Sequence, residues 1–244
     1  MDTAFGSHEN YLRFAGFFLA TLFVLFFGAA IAARVHYLDI TGEIDVFEHA
    51  STLDAAARKA NIVLCPGVGF DVIPTDCLAL ALKQALPDAS SLCLGFESHS
   101  LKSPGTAKTT VEGIGTGTRI RRDGKLRSEP IGLRARNIDF GKGSRLAAAF
   151  PWGDVSTAFK TTGIPSITVF VAVTRGFRWA MLASNLLAPL LRRPAIRQRM
   201  LAKAGAAIGP DATARQNAPT YLWGEVRNPS GEIRTARIRT ANGY

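Results

Sequence analysis

Residues 35–86 read VHYLDITGEIDVFEHASTLDAAARKANIVLCPGVGFDVIPTDCLALALKQAL and alternate between short apolar segments and longer segments with helical spacing. Residues 35–40 and 62–65 are rich in β-branched and apolar side chains, which is typical of short strands. Residues 44–60 and 74–86 carry apolar residues at helical spacing, and the second segment has a proline in its first turn. This order predicts parallel α/β units.

The pattern changes after Pro87, where turn signals replace the alternation of strands and helices. Asp123-Gly124 lies between two strand-like segments and predicts a hairpin, and residues 228–231 predict another. We therefore expect a second α/β (α+β) domain with hairpins. The predicted domains are residues 1–34, an apolar N-terminal helix; residues 35–90, which hold the parallel α/β units; and residues 91–244, which hold the hairpins.

The composition is that of a folded protein whose charge is unevenly distributed. The chain has 244 residues, 47% hydrophobic and 20% charged, which excludes a disordered, collagen-like or polytopic membrane protein. The net charge is +10, but residues 1–100 hold 5 basic and 11 acidic side chains, whereas residues 101–244 hold 24 basic and 8 acidic ones. The three cysteines form no CxxC pair, so neither a metal site nor a disulfide scaffold is predicted.

An uncharged run, AGFFLATLFVLFFGAAIAA (15–33), lies between two arginines near the N-terminus. As a helix it would rise roughly 28 Å, close to the thickness of a bilayer core. It therefore predicts a single-pass membrane anchor, with the main body cytoplasmic because the downstream half is basic. A buried core helix and a cleaved signal peptide are the alternatives, and Asp2 and Glu9 argue against the signal peptide.

Three separated blocks carry a resemblance to a known family: HYLDITGE (36–43), CPGVGFDVIPTD (65–76) and SPGTAKTTVEG (103–113). In this order they resemble the saccharopine dehydrogenase-like oxidoreductases, a family that includes trans-acting enoyl reductases of lipid synthesis. The resemblance extends over about residues 30–244. It implies that residues 35–90 are a partial Rossmann-like dinucleotide-binding domain, the C-terminal remnant of a Rossmann-like sheet. It also implies that residues 91–244 are a second domain for substrate binding or dimerisation. It implies an NAD- or NADP-dependent reductase with a lipid-linked substrate.

The resemblance also implies that the two loops following the predicted parallel strands lie beside the nicotinamide. Ligands of open parallel sheets bind at the carboxyl ends of strands, which agrees with that placement. The alternative is that the glycines only shape a turn and that Asp71 caps the following helix. The candidate cofactor-binding residues are Asp39, Thr41, Gly42, Glu43, Gly67, Gly69, Phe70 and Asp71.

The sequence departs from the family at the phosphate-binding loop. No glycine-rich strand-to-helix turn precedes residue 36, and Gly113-Ile114-Gly115-Thr116-Gly117 precedes a hairpin rather than a helix. We therefore expect a chain truncated at both ends that binds dinucleotide weakly or not at all. The alternative function is a non-catalytic, membrane-attached remnant or interaction module. No catalytic acid or base is assigned.

The basic residues of the segment 101–244 indicate which partners the chain binds. The segment 178–203 combines leucines, Trp179 and six basic residues, which predicts contact with an anionic membrane surface. A core-facing helix pair with a basic outer face is the alternative. Nucleic acid is not predicted as a partner, because the arginines are scattered and form no reading motif. Self-association into a homo-oligomer is compatible with the sequence.

Overall fold

A computed structural model describes residues 25–98, 117–191, 193–206 and 218–242. The chain forms two compact units, residues 1–69 and residues 70–244. The third block of the family resemblance, residues 103–113, lies outside the described residues, as does most of the glycine-rich stretch at 113–117. The predicted α/β class is confirmed. Helices and strands alternate in the first unit, and helices pack on a large sheet in the second.

The described helices are α1 at residues 25–33, α2 (Ile44–Thr52), α3 (Asp54–Ala60), α4 (Ile73–Ala85), α5 (Asp154–Thr162), α6 (Arg175–Leu186), α7 (Ala188–Leu191) and α8 (Pro194–Gly205). The strands are β1 (Tyr37–Leu38), β2 (Leu64–Cys65), β3 (Ser91–Ser98), β4 (Thr118–Arg122), β5 (Lys125–Glu129), β6 (Ala135–Asp139), β7 (Ser144–Ala149), β8 (Ser166–Ala172), β9 (Thr220–Arg227) and β10 (Ile233–Thr240).

In the first unit, β1 and β2 pair in parallel, with Tyr37 opposite Leu64 and Leu38 opposite Cys65. The predicted parallel pair is therefore confirmed. Parallel neighbours need a crossover connection, which α2 and α3 provide here. The sequence predicts one helix over residues 44–60, but the structure interrupts it at Leu53, and α3 ends at Asn61 in a left-handed conformation with φ of 57°.

The apolar N-terminal run does not support the predicted membrane anchor. Across the described residues, no helix has both the length and the apolar character needed to cross a membrane. The prediction of a single-pass membrane protein with a transmembrane helix is therefore wrong. Helix α1 packs through Phe27, which is fully buried and meets the Tyr37 ring edge-on with centroids 5.0 Å apart. Residues 15–24 of the run lie outside the described residues.

The second unit contains a mixed sheet with the order β10-β9-β3-β8-β4-β5, and β7 pairs with β8 and carries β6. Strands β3 and β8 are parallel, and the other pairs are antiparallel. The predicted hairpin at Asp123-Gly124 joins β4 to β5, and both turn residues have positive φ as a type I′ turn requires. The predicted hairpin at residues 228–231 joins β9 to β10.

One face of this sheet is covered by helices, and α4 packs on β9, β10, β3 and α5. Gly224 of β9 permits this close packing, because a Cβ there would lie 2.5 Å from the Leu82 side chain. The opposite face holds an apolar cluster to which β6, β7, β8 and β9 contribute. The members of this cluster are Ile138, Phe140, Ala147, Ala149, Phe170, Tyr221 and Trp223.

Strand β6 lies over this second face without pairing to the strands beneath it. A Cβ on Gly95 of β3 would lie 3.3 Å from both Ile138 and Phe140. Arg136 of β6 donates two hydrogen bonds to the Glu225 carboxylate of β9, at 3.0 and 3.1 Å. The sheet therefore curls, so that the β6–β7 hairpin and β9 enclose the apolar cluster.

Candidate functional site

The two loops at the carboxyl ends of β1 and β2 are joined by Asp39. Its Oδ1 atom accepts hydrogen bonds from the backbone N–H groups of Thr41 and Gly67, both at 2.9 Å. Its backbone carbonyl accepts a third bond from Val68 N–H at 2.8 Å. The structure thus brings together the predicted site residues that follow both strands of the first unit.

The other carboxylate oxygen of Asp39 is also occupied. It accepts a hydrogen bond from the Tyr37 hydroxyl at 2.9 Å. Burial, together with this bond and the negative charge of Asp39, raises the pKa of Tyr37 to about 12. Asp39, predicted to bind the cofactor, therefore uses its hydrogen-bonding capacity to position the loops.

The segment from Thr41 to Glu43 leads into the N-terminus of α2. The Thr41 hydroxyl accepts a hydrogen bond from Glu43 N–H at 3.2 Å, and Glu43 is the N-cap residue of α2. Asp45 adds a second carboxylate in the first turn. Two carboxylates at the positive end of a helix offset its dipole, so this loop favours hydroxyl and amide donors over a phosphate.

Both predicted glycines of the second loop are explained by packing within the first unit. Gly67 has φ of +79°, and a Cβ there would lie 2.6 Å from the Phe47 ring. A Cβ on Gly69 would lie 3.1 Å from the Ile40 side chain. These contacts support the alternative that the glycines shape the turn, and they leave the loop backbone close to Ile40 and Phe47.

Phe70 and Asp71 belong to the second unit. The backbone carbonyl of Asp71 accepts a hydrogen bond from Trp152 Nε1 at 2.7 Å. Desolvation raises the pKa of the Asp71 carboxyl group. Asp71 does not cap α4, because the N-cap residue is Val72 and no side chain caps that helix.

Sequence reasoning missed a buried acidic pair between α4 and α5. Asp154 is fully buried, and burial raises its pKa to about 8. The pKa of Asp76 is also raised by burial, and its carboxylate accepts a hydrogen bond from the Thr161 hydroxyl. An aspartate in the first turn of a helix is a common surface residue, so the sequence carried no signal of this burial.

The described residues contain no cluster of three or more histidine, cysteine, aspartate or glutamate side chains that could hold a metal ion.

The predicted site residues of the two loops present two kinds of group to a ligand. The first loop offers the Thr41 hydroxyl and the Glu43 carboxylate, and the second offers backbone between Gly67 and Gly69. Four backbone N–H groups of these loops are already hydrogen-bonded within the protein, those of Thr41, Glu43, Gly67 and Val68. This arrangement suits a nicotinamide and its ribose better than a pyrophosphate.

Comparison with known proteins found no matching family profile and no matching curated protein. Among solved structures, the chain is similar to GenD2 from gentamicin A biosynthesis in complex with NAD, at 14% identity and a TM-score of 0.30. It is also similar to yvaA from Bacillus subtilis, named as a candidate oxidoreductase, at 12% identity and a TM-score of 0.26. An oxidoreductase from Bacillus cereus matches at 13% identity with a TM-score of 0.23.

These matches cover 86%, 92% and 88% of this chain, which spans only 50%, 64% and 61% of the respective structures. One of these structures holds NAD, and the other two are named as oxidoreductases. The resemblance to the saccharopine dehydrogenase-like family stays a prediction.

Proposed function

We propose that this chain is part of an NAD(P)-dependent oxidoreductase and that its first unit contacts the nicotinamide–ribose half of the dinucleotide. The observation that carries the proposal is the link that Asp39 makes between the loops after β1 and β2. The link holds both loops at the carboxyl ends of adjacent parallel strands, which is where open sheets bind their ligands. The resemblance of residues 36–43 and 65–76 to an oxidoreductase family points to the same loops.

Each loop residue has a separate part in this proposal. The Glu43 carboxylate and the Thr41 hydroxyl would accept hydrogen bonds from ribose hydroxyls or from the carboxamide. Asp39 is a positioning residue, because its oxygens are occupied by Tyr37, Thr41 and Gly67. The backbone from Gly67 to Gly69 would lie against the flat ring. Bound nicotinamide supplies a hydride donor or acceptor, and the protein's share of that chemistry is orientation.

The substrate class follows from the resemblance alone. Membership of the saccharopine dehydrogenase-like family, close to the trans-acting enoyl reductases, would make the substrate lipid-linked. The pyrophosphate contacts would come from residues other than the two loops, since the backbone donors and acidic groups described above do not suit a phosphate. We therefore expect millimolar rather than micromolar binding by the 244-residue chain.

The test is a titration of NADH and NADPH against the full chain, followed by the fluorescence of the reduced nicotinamide. Enclosure between the loops should enhance this fluorescence in a saturable way. Glu43→Gln should weaken binding about tenfold, because a hydrogen bond to a charged acceptor is lost. Asp54→Asn is the matched control, since Asp54 lies in the same unit and is paired with exposed Arg58.

No fluorescence change with either dinucleotide would overturn the proposal and favour the non-catalytic interaction module. An enhancement that is the same in Glu43→Gln as in the unmodified chain would also overturn it. Micromolar binding that Glu43→Gln weakens would support the nicotinamide contact and show that the chain supplies phosphate contacts as well.

A further inference from the structure

The face of the large sheet beside β6 carries a concave surface with a volume of about 570 Å³. We name it the basic pocket and define it by the five side chains that the argument uses: Phe140, Lys142, Tyr221, Arg237 and Arg239. A volume of several hundred Å³ is that of a site for one small molecule. All five residues belong to the second unit, whereas the loops that follow β1 and β2 begin in the first unit.

The register of the β9–β10 hairpin brings two of the cations to the pocket. Arg239 pairs directly opposite Tyr221, and Arg237 pairs opposite Trp223. Because residues two apart on a strand share a face, Tyr221, Arg237 and Arg239 all project to the side that carries the apolar cluster. The pocket is thus built on paired strands rather than on a free segment.

The third cation is presented by the turn between β6 and β7. Asp139 Oδ1 fixes this turn by accepting hydrogen bonds from Gly141 and Gly143 N–H, at 2.8 and 3.1 Å. Both glycines have positive φ, which a larger residue would rarely adopt. Lys142 Nζ lies 4.6 Å from the centroid of the Tyr221 ring.

Only one of the three cations has a carboxylate partner among the residues that the structure describes. Arg237 donates to the Asp139 carbonyl at 2.6 Å and is ion-paired with its carboxylate at 3.2 Å. Lys142 and Arg239 have no carboxylate within 4.0 Å in the same described set. Within the described residues, the pocket therefore holds two cations that form no ion pair with a carboxylate, beside one phenol.

The pKa of the Tyr221 hydroxyl responds to these positive charges. Hydrogen bonding and the positive charges of Lys142 and Arg239 lower the pKa of Tyr221 below its ordinary value. A bound anion would offset the same charges and raise that pKa again. Tyr221 ionisation is therefore an internal probe of occupancy.

We propose that the basic pocket binds the phosphate group of a small phosphorylated ligand. Lys142 and Arg239 would supply the charge, and the Tyr221 hydroxyl and the guanidinium N–H groups would supply directed donors. The buried Phe140 side chain lines the pocket beside them. A phosphate monoester or diphosphate matches two neighbouring cations and several convergent donors. The phosphate is carried either by a free metabolite or by a lipid headgroup.

The test titrates inorganic pyrophosphate into the full chain while tyrosine ionisation is followed by near-ultraviolet absorbance. Pyrophosphate should raise the pKa of the tyrosine that ionises first, and Tyr221→Phe should remove that early transition. Lys142→Met and Arg239→Met should each weaken pyrophosphate binding about tenfold, as expected for one lost charge-assisted contact. Arg234→Met is the matched control, because Arg234 lies on β10, is ion-paired with Glu232 and projects to the helix-covered face.

A second arm distinguishes the source of the phosphate by sedimentation with vesicles of phosphatidic acid in phosphatidylcholine. Pyrophosphate binding without vesicle binding supports a free phosphorylated ligand. Vesicle binding that depends on Lys142 and Arg239 supports a lipid headgroup. The proposal is overturned if pyrophosphate leaves the tyrosine transition of the unmodified chain unchanged and vesicles do not bind, or if Lys142→Met, Arg239→Met and Arg234→Met all behave alike.

Discussion

Asp39 shows how a carboxylate that is predicted to bind a ligand can be committed to the fold. Its two side-chain oxygens accept from the Tyr37 hydroxyl and from the N–H groups of Thr41 and Gly67. The sequence placed Asp39 correctly at the end of a strand, but it could not show where the carboxylate's hydrogen bonds go. That information depends on the partner loop, which lies 28 residues further along the chain.

We expect Asp39→Ala to loosen both loops, because two backbone donors lose their acceptor. The loss is worth about 1–3 kcal/mol, since Gly67 is buried and its N–H would be left unsatisfied. Hydrogen-exchange mass spectrometry of peptides covering residues 36–69 measures this directly, and the expected loss of protection is roughly tenfold to a hundredfold. Asp54→Ala removes an exposed ion pair as the control, and equal protection in the two variants would contradict the role given to Asp39.

The buried Asp154 carboxyl group predicts that the free energy of unfolding depends on pH. Its pKa is about 8 in the folded chain against an ordinary value of 3.8, so the folded state binds a proton that the unfolded state releases. The free energy of unfolding should therefore fall as pH rises from 3.8 towards 8, by at most about 1.4 kcal/mol per pH unit, and level off above that range.

Asp154→Asn keeps the shape of the side chain and removes the proton equilibrium. We expect urea unfolding, followed by tryptophan fluorescence, to show a smaller loss of stability between about pH 5 and about pH 7 in this variant. Asp88→Asn serves as a control, because Asp88 is exposed and accepts a hydrogen bond from Asn228. An unchanged pH dependence in Asp154→Asn would contradict a buried, protonated carboxyl group.

At the scale of elements, local patterns predicted the strands and turns but not the contacts between distant segments. The parallel pair β1–β2 and the hairpins at Asp123-Gly124 and residues 228–231 follow from apolar runs and turn residues. The placement of β6 over β3 and β9 depends on Gly95 and on the Arg136–Glu225 pair, which no local pattern reveals. The break at Leu53 was missed because the apolar spacing continues across it.

The packing of α4 on β9 predicts a specific coupling between two residues. Gly224→Ala should destabilise the second unit by about 1–3 kcal/mol, because the new Cβ would overlap the Leu82 side chain. Leu82→Ala alone should also destabilise, since Leu82 is buried. The double variant should lose less stability than the sum of the two single losses, as measured by urea unfolding. Strictly additive losses would show that the two residues do not share this contact.

At the scale of the whole molecule, several of the basic residues in the segment 101–244 form ion pairs with carboxylates on strands. Arg136 pairs with Glu225, Arg134 with Glu129, Arg145 with Glu97 and Arg237 with Asp139. Composition could reveal the charge but not these partners, which lie on other strands. Helices α6 to α8 carry further basic residues beside exposed apolar ones, including Trp179. Their contact with an anionic membrane surface stays a prediction.

The central claim is that the two loops joined by Asp39 hold the nicotinamide–ribose half of a dinucleotide. Saturation-transfer difference NMR on NADPH and NADH with the full chain tests it directly, because the method detects weak binding and reports which part of the ligand touches the protein. We predict the strongest transfer to the nicotinamide and its ribose protons, with a clear decrease in Glu43→Gln and none in Asp54→Asn. Transfer confined to the adenine protons, or no transfer at all, would contradict the claim.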